Sequence, residues 1–169
     1  MTVEDDFLTS AADKLAENLD RIDTCLTELP PASVWARDSE HENAVGNLLL
    51  HLEGNVRQWI LSGIGAKSDQ RDRPSEFSAR TGANASVLFA QLRGTIGEAV
   101  ALIRSLPHPR LTETVCIQGF DTTVLSAIFH VVEHFSGHTY QIILLTKRFT
   151  GKDLGFYSYL NQTGRKEIE

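Results

Sequence analysis

The chain has 169 residues, 41% of them hydrophobic and 22% charged, the make-up of an ordinary globular protein with enough length for one self-sufficient core. Sixteen basic against 22 acidic side chains give a net charge of −6; without a concentrated basic patch, that excludes nucleic acid as an expected partner. The acidic start MTVEDDFLTSAADKL is not a signal peptide, the apolar runs are short and broken by His, Asn or Glu, and two cysteines make no disulfide framework. The expectation is therefore a single domain over residues 1–169, with no membrane span, in a reducing cytoplasm.

A first helix is predicted over residues 4–28, where Phe7, Leu8, Ala11, Leu15, Leu19, Ile22 and Leu26 recur at helical spacing until Pro30-Pro31 stops it. Pro31 to Trp35 reads as a loop, and a second helix is expected from Glu40 to Leu61, closed by Ser62-Gly63-Ile64-Gly65. The polar stretch 66–83 reads as a long surface connection, its Arg71-Asp-Arg73-Pro-Ser-Glu76 run a solvated, internally paired loop with anion binding as a minority reading. A third helix is predicted over 83–105, ended by Pro107-His-Pro109.

Leu111 to Phe120 is rich in β-branched residues and fits a short extended segment or hairpin turning at Gln118-Gly119, with Cys116 read as a small buried hydrophobe. Asp121 or Thr122 should cap a last long helix that runs to Thr150 and stops at Gly151, before a tail (Phe156, Tyr157, Tyr159, Leu160) that packs down and then frays. Four amphipathic helices make an all-α, four-helix bundle the expected architecture.

Three of the six histidines lie in HVVEHFSGHTYQI, at His130, His134 and His138. At about 100° per residue, each step of four advances roughly 40° around a helix. An apolar arc centred on Val131, Phe135 and Ile142 then takes in His138, has His134 on its shoulder and leaves His130 at its margin, with Gln141 between His130 and His134. Histidines at i and i+4 can reach one ion from a single helical face, but two ligands make a weak site. In the second helix His51 sits on the flank of an apolar face with Asn55 one turn on, and is the candidate third ligand. His41 and His108 read as solvated. Against the ligand reading stands the plainer one, in which these histidines are hydrogen-bonded core residues or bind metal only for stability. HVVEH is not HExxH, because Glu133 points about 100° away from His134, and Ser136 points off the histidine face.

The stretches NLLLHLEGNVRQWILSGIG, RDRPSEF and IQGFDTTVLSAIFHVVEHFSGHTYQIILLTKR resemble the DinB/YfiT-like superfamily of bacterial metal-binding bundles, and most closely a branch of unknown function. The resemblance implies a four-helix bundle, commonly a homodimer, that holds a divalent ion, zinc or nickel, through His51, His134 and His138. Many relatives carry Gly where this chain has Tyr140. The resemblance also implies thiol-dependent transferase or isomerase chemistry with bacillithiol or mycothiol; the site itself, three neutral imidazoles with an open position, suits a metal-dependent hydrolase or thiol transferase, with Asn55, His130 and Gln141 as supporting or substrate-binding groups.

Overall fold

A computed structural model describes residues 1–158. Helix α1 (Val3–Glu28) starts at a capping box: the Thr2 hydroxyl accepts from the Asp5 amide and the Asp5 carboxylate accepts from the Thr2 amide. After a 3-10 turn (Pro31–Ser33), α2 (Val45–Val56) begins five residues later than the sequence suggested. The delay has a steric cause. The Trp35 ring lies flat against Gly46, where a Cβ would collide with it, and the Gly46 amide donates to the Val34 carbonyl at 2.8 Å. Residues 35–44 are thus held as an irregular strap. Beyond Val56 the helix widens into π geometry over Arg57–Ser62, ending at the expected glycines.

The polar connection is not structureless. Asp72 caps, and Pro74 pre-forms, a short helix α3 (Arg73–Ser78). Helix α4 (Ala85–Arg104) is capped by the Asn84 side chain. It is the one described helix long and apolar enough to cross a membrane by length and composition, but Leu88, Phe89, Leu92, Ile96, Ala99 and Ile103 are buried in the bundle. The hairpin forms as expected, β1 (Thr114–Ile117) against β2 (Phe120–Thr123), antiparallel, with Thr114 opposite Thr123. Gln118 and Gly119 both have positive φ (56° and 81°), the pattern of a type I′ turn. Cys116 is exposed on this hairpin rather than buried. Asp121 and Thr122 belong to β2, so the cap of α5 (Val124–Thr150) falls to Thr123, whose hydroxyl accepts from the Ser126 amide. Gly151 closes α5 in the left-handed conformation at φ 67°.

α1, α2, α4 and α5 form an all-α four-helix bundle. α1 packs on α4 and α5, α2 packs on the same two, and α1 and α2 face each other across the diagonal. The centre is filled by Leu15, Ile22, Leu48, Leu52, Ile96 and Phe135, each essentially inaccessible and each contributing about 1.5–3 kcal/mol through burial. In the tail, Leu154 and Phe156 lean on this core while Tyr157 is half exposed; Tyr159 and Leu160 lie outside the described residues.

Candidate metal centre

His51 sits in the middle of α2, buried, and faces α5 across the bundle seam. The two helices run in opposite directions there: His51 meets His134 and His138, while Trp59, about two turns further on in the π segment, meets His130. Ring centroids are 4.9 Å apart for His51–His134, 4.9 Å for His51–His138 and 4.5 Å for His134–His138. One potential ligand atom from each ring lies within 4.8 Å of the others, so this trio could hold a metal ion.

The outer nitrogens of two of the rings are fixed. His51 Nδ1 is 2.9 Å from Glu76 Oε2, and Arg71 grips the same carboxylate through two contacts, Nε to Oε1 at 2.7 Å and Nη2 to Oε2 at 2.8 Å. Burial works against the charge of Glu76, but the hydrogen bonds from Arg71 and His51 outweigh it and hold the carboxyl below its ordinary range. An ionised carboxylate can only accept, so the proton is on His51 Nδ1 and a lone pair is on Nε2. His138 Nδ1 likewise donates to the Gln141 side-chain oxygen at 2.9 Å, freeing its Nε2. His51 Nε2 and His134 Nε2 are 2.8 Å apart. With the His51 lone pair on Nε2, His134 Nε2–H donates across this gap, and release of that one proton turns both nitrogens to an ion. The donor set fits a divalent ion.

Burial, then the neighbouring His138, His51 and His130 and the Arg71 charge, push His134 down to about 3; burial also lowers His138, against the Gln141 hydrogen bond. Neutral imidazole is the form that ligates. A cleft of about 400 Å³, lined by His130, Glu133, His134, Gly137, His138 and Gln141, opens beside the trio and leaves room for a small molecule.

The other sequence candidates fall around this centre. His130 is outside the trio, its ring tilted against Trp59 (centroids 4.2 Å apart, 38° between planes) and stacked alongside His134 (5.5 Å, 22°). Asn55 is buried one turn from His51, and its side-chain oxygen and the Trp59 indole N–H have no partner among the described residues. Gln141 is exposed at the rim. Ser136 accepts from Asn18 at 2.8 Å, away from the histidines. His41 and His108 are exposed, His108 pairing with Asp5.

Two expectations need correction. His138 is half-buried at the edge of the buried stripe rather than inside it, because Thr139, Ile143 and Thr146 are buried on the side away from the histidines, which centres the stripe further round the helix. Thr139 can be there because its hydroxyl donates to the Phe135 carbonyl one turn back. Nor is Arg71–Glu76 a solvated loop. Arg71 and Glu76 are 3% and 8% exposed and anchor His51 from behind. Two signals pointed there: the Asp72-Arg73-Pro74-Ser75 helix start, and Gly54 in mid-helix, where a Cβ would collide with the Glu76 carboxylate.

A family model described as Protein of unknown function (DUF1572) matches residues 2–161. No curated protein matches the sequence. The fold is similar to the "Crystal structure of the conserved protein of locus from Enterococcus faecalis", with a TM-score of 0.74 and 12% identity, over 90% of this chain and 99% of that one. At that identity the likeness shows the fold alone.

Proposed function

Since the chain belongs to the family described as Protein of unknown function (DUF1572), a membership that brings no reaction with it, we propose a function from the chemistry of the site: a metal-dependent hydrolase or thiol transferase of the DinB/YfiT-like kind. The carrying observation is that two of three converging imidazoles are tied through Nδ1, with a cleft open on the remaining side. Three protein ligands and an open position are the pattern of catalytic zinc rather than structural zinc. A bound divalent ion, zinc or nickel, would lower the pKa of a water or an incoming thiol and so supply a nucleophile near neutral pH.

The chain's own groups then have separate tasks. Arg71 and Glu76 hold His51 in the ligating tautomer, and Gln141 does the same for His138. Trp59 holds the His130 ring by a tilted ring contact. Asn55 offers an uncommitted amide oxygen one turn from His51, suited to orienting a polar substrate group. Function as a homodimer in a reducing cytoplasm belongs to the same reading, and both cysteines are free.

Metal content of the purified full chain tests the proposal. About one ion per chain is expected after reconstitution, falling sharply in His138→Ala, together with thiol-dependent or hydrolytic turnover by the loaded protein. Failure to bind zinc or nickel would sink it. If the ion binds but only sets the melting temperature, a structural role stands instead.

A further inference from the structure

Ten arginines lie among the described residues, and seven of them pair with a carboxylate. The three that do not, Arg37, Arg73 and Arg80, belong to two segments that meet over the start of α2. Arg37 Nη2 donates to the Ala79 carbonyl at 2.9 Å, and Arg80 Nη1 reaches the same oxygen at 3.3 Å, along with the carbonyls of Phe77 and Ser78. The Asn47 amide is a third donor to that oxygen, at 2.9 Å. One neutral oxygen with two lone pairs thus faces three donors, two of them on full positive charges. Among the described residues no carboxylate oxygen comes within 4 Å of Arg37 or Arg80.

The arrangement is fixed in place rather than draped on the surface. Trp35 fills the gap against both Gly46 and Gly82, either of which would collide with it if it carried a Cβ, and its indole N–H donates to the Ala83 carbonyl at 3.2 Å. That locks the segment bearing Arg37 to the one bearing Arg80. The N-terminal end of α2, with no acidic side chain in its first turn, adds its positive dipole end to the same region. Burial, and then the nearness of Arg80, lower the affinity of Arg37 for its own proton. Arg73 lies over the Phe77 ring at 4.9 Å, and that ring rests on His51 at 4.6 Å, which joins the cationic region to the metal centre.

We propose that Arg37 and Arg80 form an oxyanion site that takes a phosphate or carboxylate group of a small molecule, one turn of α2 from His51. A tetrahedral or planar oxyanion gives two guanidinium forks the charge and the multiple acceptors that the Ala79 carbonyl cannot. The site stands on the arginines alone. Where the metal reading also holds, it makes the substrate an anionic one.

The full chain is titrated calorimetrically with inorganic phosphate and, separately, with succinate, at ionic strength matched by chloride, and the arginine Nε–H resonances are followed in parallel. A saturable heat is expected with at least one anion, with the Arg37 and Arg80 resonances moving on binding; the tighter anion identifies the group. Arg37→Gln and Arg80→Gln should each weaken binding about 10-fold to 100-fold. Arg37→Lys, which keeps the charge but loses the fork, should fall between. His138→Ala should leave anion binding intact. No saturable heat with either anion, unchanged binding in both glutamine variants, or loss of binding in His138→Ala would overturn the proposal, the last by placing the anion on the histidines.

Discussion

Replacing Glu76 by Gln removes the charge that Arg71 and His51 share while keeping the shape of the side chain. Arg71, its side chain 3% exposed, is left as a buried cation whose remaining side-chain partners besides the new amide are Gln58 Oε1 at 2.9 Å and His51 Nδ1 at 3.1 Å. Breaking a buried pair by deleting one partner costs about 3–5 kcal/mol. The amide oxygen still accepts one hydrogen bond, so about 2–3 kcal/mol is the expected loss here, a melting shift on the order of 5–10 °C for a domain of this size. The informative effect is on the ion. Without a fixed acceptor, His51 Nδ1 is no longer obliged to carry the proton, and zinc affinity should drop about 10–100-fold. Zinc affinity is measured by competition with a chromogenic chelator and stability by urea unfolding of chelated protein. Glu53→Gln is the control: Glu53 accepts from Arg57 and Thr95 in a separate, partly buried network, so its loss should lower stability slightly and spare zinc affinity. Equal affinities for wild type and Glu76→Gln would refute the orienting role.

Gly54→Ala should lower stability by about 1–3 kcal/mol and weaken zinc binding, although Ala is the better helix former, because the new methyl displaces Glu76; a stabilised variant would contradict this. Chelated protein should lose stability as pH falls from 7 to 5, with a slope that grows through pH 6.5 toward about 1.4 kcal/mol per unit: the unfolded chain takes up a proton at His134 near pH 6.5, while the folded chain, with His134 held near 3, does not. Urea midpoints that stay level from pH 7 to pH 5 would count against it. Burial raises the Cys25 thiol to about 11, while Cys116 is exposed, so a disulfide reagent at pH 8 should titrate about one thiol in native protein and both after denaturation. Two fast-reacting native thiols would place Cys25 wrongly.

Much of the fold is local, and that part is legible in the sequence. The helical spacing of α1 and α4, the Gln118-Gly119 turn and the His134/His138 pair each follow from residues within a few positions of one another. The late start of α2 is not local, because it depends on Trp35 seating against a glycine eleven residues on. The buried stripe of α5 was misplaced because Thr139 and Thr146 count as polar by type, yet Thr139 satisfies its hydroxyl on its own helix and so tolerates burial. Arg71 and Glu76 look like solvated charges until α3 turns them inward together; their burial depends on each other and on His51, a three-body fact that no single position carries.

His51 and its anchor lie within 26 residues of chain, whereas His134 comes 83 residues after His51. During synthesis at about 5–20 residues per second, His51, Arg71 and Glu76 all leave the ribosome several seconds before the last helix is made. For that interval the nascent chain offers a passing ion one ligand of the trio, and a single imidazole does not retain it. Loading therefore waits for α5 to dock, and a chain cut short before residue 134 carries the anchor for a metal it cannot hold.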